Sequence, residues 1–174
     1  HLLEHQIGDA RKARLLEQAL SLTGVAGAYL GRDPPLAYSS NAFWTRPGET
    51  PPRHDIQALH VDCDDSRFLA LFVYLDDVFD EAGGPHVLVG PDGVERRVFG
   101  RAGTAFLADT RNRHCGIKPS RRGRGIWWWR WGVGDPPASY VWDGNAPISS
   151  VELAGRYPQD SHLRESLRLL VAPP

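Results

Sequence analysis

Methionine is absent from this 174-residue chain, and it holds only two cysteines, Cys63 and Cys115, and two lysines, Lys12 and Lys118. Two cysteines are too few for a disulfide-stapled scaffold. No apolar run approaches the roughly 20 residues that a spanning helix needs, and no secretory signal stands at the start. Because the chain opens at His1 without a methionine, its natural N-terminus is expected to be missing or processed. Charge of one sign is lacking too. Twenty basic against 21 acidic residues leave a net charge of −1, so nothing draws the chain to nucleic acid or an anionic membrane. The expected setting is the cytoplasm and the expected partner a small molecule, with homo-oligomer formation left open.

The length suits one domain with a real core, and no linker, internal repeat or low-complexity stretch divides it. Residues 9–22 read as an amphipathic helix, with Asp9 as N-cap, Leu15, Leu16, Ala19 and Leu20 as the apolar stripe and Gly24 as its end. A short second helix follows over Val25–Leu30, closing a helical part at residues 1–31. The character then turns to β. Strands are expected at Leu36–Thr45, Ile56–Asp62, Phe68–Val78, Val87–Val89, Val94–Val98, Gly103–Leu107, Arg113–Ile117 and Gly125–Val133. Pro91-Asp92-Gly93 marks a hairpin. A closing helix is expected at residues 161–170, with Ser161 as its N-cap and Leu163, Leu167 and Leu170 on one side. Eight short strands flanked by helices predict a mostly β fold, a double-sheet jelly roll with its core at residues 36–133.

Two strands say more. Both faces of Phe68–Leu75 are apolar, which places that strand centrally in its sheet. In the last strand Arg124, Ile126, Trp128 and Arg130 share one face, and Trp127, Trp129 and Trp131 share the other. If Arg124 points inward, Trp128 lines the interior beside it. The other three tryptophans then need a cover, either the N-terminal helix or a partner subunit.

The chemistry centres on His60-Val61-Asp62, His114 and Arg124. Two imidazoles and a carboxylate can hold one face of an octahedral ferrous ion and leave three positions open. An arginine beyond the second histidine suits the far carboxylate of a keto acid. The short motif alone is weak, since seven histidines and fourteen aspartates predict about half an H-x-D by chance. Its setting decides. Cys63 and Cys115 each directly follow a candidate ligand, so on strands both would face away from a metal. They are expected to be small buried residues on adjacent strands.

The run His60-Val-Asp62-Cys-Asp64-Asp65-Ser-Arg67-Phe-Leu-Ala-Leu-Phe-Val-Tyr74-Leu75-Asp-Asp77-Val resembles the phytanoyl-CoA dioxygenase superfamily of iron(II)/2-oxoglutarate oxygenases. So do Gly84-Pro85-His86-Val, Gly103-Thr-Ala-Phe-Leu-Ala-Asp109-Thr110, His114-Cys-Gly116 and Gly123-Arg124, all in the family's order. The resemblance implies a double-stranded β-helix and hydroxylation of a C–H bond with release of succinate and CO2. It implies Fe(II) on His60, Asp62 and His114, with 2-oxoglutarate and O2 as co-substrates and Arg124 on the distal carboxylate. Gln57 stands where relatives often place a glutamine near the co-substrate. Related halogenases carry a small residue at the position of Asp62, so its carboxylate points to hydroxylation. The chain departs from the pattern in three places. Val87–Gly93 turns straight back where relatives have a longer insertion over the site. Ala70 replaces a common lysine, and Gly116 offers no side chain to help Arg124.

Plainer readings compete residue by residue. His60 with Asp62 could be a surface polar pair, and His86, after Gly-Pro, could support a metal ligand but reads rather as structural. Asp76 and Asp77 read as turn residues, and Arg111, Arg113, Arg121 and Arg122 as a solvated loop. Asn41, Phe43 and Trp44 are candidate pocket walls or simply core. The H-x-x-E-H string at residues 1–5 spells an inverted zinc-peptidase motif, but no helical framework accompanies it. Two alternatives to a hydroxylase stand beside it. One is a catalytically weak or inactive jelly-roll binding protein, and the other a cupin-type metalloenzyme without 2-oxoglutarate. Fold alone cannot separate the three.

Overall fold

In the computed structural model the described residues are 7–48, 57–63 and 65–134. They form helices α1 (Asp9–Ser21) and α2 (Thr23–Leu30), then strands β1 (Leu36–Thr45), β2 (Phe68–Tyr74), β3 (His86–Val89), β4 (Glu95–Val98), β5 (Ala105–Ala108), β6 (His114–Gly116) and β7 (Arg124–Gly132). A four-stranded sheet has the order β1-β7-β2-β5, and a three-stranded sheet the order β4-β3-β6. The fold is mostly β, as the alternating patterns require. The closing helix expected at residues 161–170 and the histidine string at residues 1–5 lie outside the described residues.

The chain divides into two compact units. Among the described residues one comprises 42–48, 57–63 and 71–128, the other 7–41, 65–70 and 129–134. Strands β1, β2 and β7 contribute residues to both.

The second unit contains the helices. Leu15 and Ala19 bury the apolar stripe of α1. Gly8, not Asp9, is its N-cap, and Asp9 lies in the first turn, where its charge still favours the exposed N–H groups. The helix breaks at Leu22 rather than at Gly24, which instead falls inside α2. Gly31 ends α2 in the left-handed conformation. Trp129 and Trp131 are almost fully buried in this unit, their rings 6.1 Å apart and edge to face. Arg130, also buried, sits over the Phe68 ring at 5.7 Å.

One carboxylate organises the end of β7. Asp65 accepts hydrogen bonds from the backbone N–H groups of Ser66 at 2.5 Å and of Val133 and Gly134 at 2.8 Å each. Burial raises its pKa, but donors from Gly134, Ser66 and Val133 outweigh that and hold it below the ordinary carboxylate value.

The first unit carries the three-stranded sheet. Strand β3 pairs antiparallel with β4 in register His86↔Val98 to Val89↔Glu95, and with β6 in register His86↔Gly116 to Leu88↔His114. The β3–β4 hairpin closes at Gly93, whose φ of 74° suits glycine. All seven residues of β2 are buried, and the strand lies between β7 and β5. That matches its two apolar faces. The strand expected at 56–62 reduces to one antiparallel bridge, His60↔His114, and the end of the expected 68–78 strand to another, Val78↔Gly100.

Removing the Asp65 carboxylate takes the acceptor from the Ser66 and Gly134 N–H groups and leaves Val133 N–H only the Arg67 carbonyl at 3.2 Å. Asp65→Ala is expected to lower unfolding free energy by about 2–3 kcal/mol, the range for losing charged-group hydrogen bonds. Because the folded pKa is depressed, the wild-type contribution is present above the ordinary carboxylate range and lost as pH falls through the folded value. Urea unfolding of both proteins across acidic pH should show the difference shrinking with acid. A constant difference would reject the assignment.

Candidate metal centre

The backbone brings His60 and His114 together first. His60 N–H donates to the His114 carbonyl at 3.0 Å, and His114 N–H returns the bond at 2.9 Å. Such a reciprocal pair puts both side chains on one face of the ladder. Asp62 N–H then donates to the Thr110 carbonyl at 2.8 Å, holding the third residue beside the other two.

The donor atoms of His60, Asp62 and His114 all lie within 4.8 Å of one another. His60 Nε2 stands 3.5 Å from Asp62 Oδ1, and His114 Nε2 stands 3.5 Å from Asp62 Oδ2. Donors at about 2.1 Å from a common ion stand roughly 3.0–3.4 Å apart, so the two spacings to Asp62 lie close to what a divalent cation requires. The far ring nitrogens agree. His60 Nδ1 lies 2.8 Å from the Ala58 carbonyl and His114 Nδ1 lies 3.1 Å from the Asn112 carbonyl. Each contact places the ring proton on Nδ1 and leaves the Nε2 lone pair for a metal. Burial, only partly offset by the Asp62 charge and the Asn112 carbonyl, pushes His114 below the ordinary imidazole value. Its ring is therefore neutral and able to ligate near neutral pH.

Arg124, the first residue of β7, is 4% exposed. Its Nη1 donates to the carbonyls of Gly84 and Ile117, the latter at 3.0 Å, while Nε is buried without a partner. No carboxylate among the described residues pairs with it. Burial lowers its pKa from the ordinary guanidinium value, opposed by Tyr74 and Cys115, and leaves it a buried cation in need of an anion. Gly116 has a use that the sequence hid. A methyl group there would come within 2.7 Å of Arg124 Nη2, so the missing side chain makes room for the guanidinium.

His86 is the residue that sequence reasoning passed over as structural. It is 7% exposed, and neither ring nitrogen has a hydrogen-bond partner. Its ring stacks 5.9 Å from that of His114. Burial, followed by the charges of Arg124, His114 and His60, pushes its pKa well below the ordinary imidazole value. The available signal was parity: His86 shares a face with Leu88, the cross-strand partner of His114. Two further buried polar atoms in this unit lack partners, Gln57 Oε1 and Thr110 Oγ1. Both adjoin the triad in sequence or by backbone bonding, and they suit polar ligand atoms.

Of the other expected site residues, Trp128 is half-buried and joins an aromatic row. Its ring lies 5.4 Å from Phe43 and 6.2 Å from Phe72, and Phe72 lies 5.3 Å from Phe106 and 4.5 Å from His86. Trp44, one residue on from Phe43 in an alternating strand, packs against Gly123 instead. Asn41 donates to the Ser39 hydroxyl at 2.9 Å. The cysteines differ from each other: Cys115 is buried and Cys63 exposed, both as free thiols. Cys63 lies beyond the bridge, where no described strand covers it. Asp76 and Asp77 do fix turns, accepting from Gly125 N–H at 2.7 Å and Ala102 N–H at 2.8 Å.

No family model and no curated protein matches the chain. Among solved structures, the nickel complex of ThoJ, a non-heme monooxygenase, overlaps with a TM-score of 0.50 at 18% identity, covering 65% of this chain and 50% of that one. AviO1 from Streptomyces viridochromogenes Tue57 overlaps with a TM-score of 0.50 at 19% identity, covering 67% and 58%. HygX from Streptomyces hygroscopicus with nickel and 2-oxoglutarate bound overlaps more weakly, with a TM-score of 0.42 at 12% identity over 55% and 57%. The chain thus spans between half and three-fifths of these proteins' length. The first two overlaps show a shared fold.

His114→Ala removes one of three donors and is expected to weaken Co(II) binding by about 100-fold or more, given what a single ligand contributes in three-ligand sites. Cys115→Ser, on the opposite face of the same strand, should leave it unchanged. Calorimetric titration with Co(II) checks both, and equal affinities for His114→Ala and wild type would remove His114 from the site.

Proposed function

We propose that this chain is an Fe(II)- and 2-oxoglutarate-dependent oxygenase of the phytanoyl-CoA dioxygenase type, on a double-stranded β-helix. It would hydroxylate a C–H bond of a small organic molecule and release succinate and CO2. One observation carries the reading. A two-histidine, one-aspartate cluster shares a unit with a buried arginine that no described carboxylate neutralises. ThoJ, which shares the fold, is a non-heme monooxygenase in complex with nickel, and this agrees with the donor set found here.

Bound Fe(II), with 2-oxoglutarate and O2, would supply the oxidising power for C–H hydroxylation. The chain's own residues bind and orient. His60 and His114 would hold the metal through Nε2, their rings fixed by the carbonyls of Ala58 and Asn112. Asp62 supplies the carboxylate and lowers the charge of the centre. Arg124 keeps Nε and Nη2 for the distal carboxylate of the keto acid, because Nη1 is already committed to two carbonyls. In a buried site such a pair is worth far more than at the surface. Gln57 offers its Oε1 to a donor on co-substrate or substrate. Phe43, Phe72, Phe106 and Trp128 keep water away from the metal side of the unit and present an apolar wall to the substrate. Asn41 and Trp44 remain candidate substrate residues.

A second reading has one observation in its favour. The bonds from Arg124 Nη1 to Gly84 and Ile117 would tie loops together even without a ligand. A cupin-type metalloenzyme or a metal-binding protein without 2-oxoglutarate would need nothing more from it.

Anaerobic Fe(II) and 2-oxoglutarate should together give a weak visible charge-transfer band. Arg124→Ala should raise the 2-oxoglutarate Kd by about 10- to 100-fold, as for hydrogen bonds to a charged group, with iron affinity unchanged. Equal 2-oxoglutarate affinity in the two proteins rejects the co-substrate role and favours the second reading. Succinate formed on admitting O2 separates an enzyme from a binding protein.

A further inference from the structure

Cross-strand pairing places more than the metal donors on one face. His60 opposes His114, Leu88 opposes His114, and His86 opposes Gly116. Directly opposed residues project to the same side of a ladder, and so do residues two apart on one strand. His60, His114, Leu88, His86 and Gly116 therefore share a face, and Val87 and Cys115 take the other. The bonds from Val89 N–H to Arg113 and from Ile117 N–H to Pro85 bracket the β3–β6 pairs. That makes Leu88–His114 and His86–Gly116 the close, non-hydrogen-bonded kind of pair.

Arg124 reaches the same face, since its Nη2 lies where a Gly116 side chain would stand. His86 thus lies between a candidate metal donor and a buried cation. On one side its ring stacks at 5.9 Å and 18° with the ring of His114, and on the other its backbone partner lies under the guanidinium. Phe72 at 4.5 Å and Phe106 at 5.5 Å fix the ring laterally. The His86 backbone N–H donates to the Tyr74 hydroxyl at 2.9 Å, and that hydroxyl donates to the Val98 carbonyl at 2.8 Å. The residue is held in place from backbone to ring, yet both ring nitrogens are buried and unpartnered.

An imidazole always presents at least one N–H donor. Buried polar atoms in folded proteins almost always have partners, so two on one ring call for a ligand atom. Arg124 Nε is in the same condition. A cation and a directional N–H, side by side and both short of acceptors, suit an anion with two acceptor oxygens. A carboxylate is such a group.

We propose that His86 is a positioning residue for the keto-acid co-substrate, its ring N–H and the Arg124 guanidinium together forming the cradle for the distal carboxylate. The proposal rests on the oxygenase reading above and adds to it a second donor at the arginine end. Arg124 supplies the charge. His86 sets the rotation of the carboxylate, and through it the reach of the keto acid to the metal.

The test uses the full chain loaded with Co(II), titrated by calorimetry with 2-oxoglutarate and separately with oxalate, which chelates metal but cannot reach Arg124. His86→Phe keeps the ring's bulk and deletes the donor. It is expected to raise the 2-oxoglutarate Kd about ten-fold, the value of one hydrogen bond to a charged group. Co(II) and oxalate affinities should stay within about two-fold of wild type on the same scale. His86→Gln restores an N–H and should recover a large part of the loss, which also guards against a variant that simply misfolds. Unchanged 2-oxoglutarate affinity in His86→Phe overturns the proposal while leaving the oxygenase reading standing. An equal loss of 2-oxoglutarate and oxalate in both variants also overturns it, because His86 would then act at the metal end or on the fold. Wild type that binds Co(II) but not 2-oxoglutarate overturns both readings.

Discussion

The reciprocal backbone bonds between His60 and His114 are the constraint on which the site depends. Two imidazoles that are 54 positions apart in sequence become cross-strand neighbours, their ring centroids 4.3 Å apart. No side-chain attraction achieves this, since two imidazole rings have little pull on each other. The ladder does it, by satisfying two N–H and two C=O groups that could not be buried unpaired. Asp62 follows on the same run of chain through its bond to Thr110, and the carboxylate then faces both Nε2 atoms.

Around that bridge the first unit departs from the usual rules of a satisfied core. Gln57, His86, Thr110 and Arg124 all carry buried polar atoms without partners. Each such atom costs on the order of 1–3 kcal/mol, so several in one unit are a sizeable debt against marginal stability. Local rules are broken where a chain must bind something, and a shared ligand could offset the whole set at once. In the second unit the Asp65 carboxylate takes three backbone donors, while Thr23 Oγ1 and Trp131 Nε1 are buried without a hydrogen-bond partner.

Glycine placement connects fold and chemistry. Gly116 looked like a lost helper for Arg124, with no side chain to help it hold a carboxylate. In the folded chain any Cβ would collide with it. The difference is one of direction: sequence order says that the residues are eight apart, but not that one lies on top of the other. His86 shows the same limit of sequence order. Its neighbours in sequence, Gly84 and Pro85, suggest a turn, while its neighbours in space are a metal-donor histidine and a buried arginine.

The mostly β character, the extent of β1, the burial of β2, the hairpin around Gly93 and the three metal-donor candidates were all readable from the chain. Alternation, turn residues and donor type are local properties, and each is written within a few positions. Helix capping was less legible, because Gly8 and Leu22 took boundaries that Asp9 and Gly24 seemed better suited to hold. The exposure of Cys63, the turning of Trp44 onto Gly123, and the pairing of His86 with Gly116, against which the Arg124 guanidinium lies, were decided by tertiary structure alone. Which face of one strand meets which face of another depends on register, and register is settled by pairing between segments far apart in the chain.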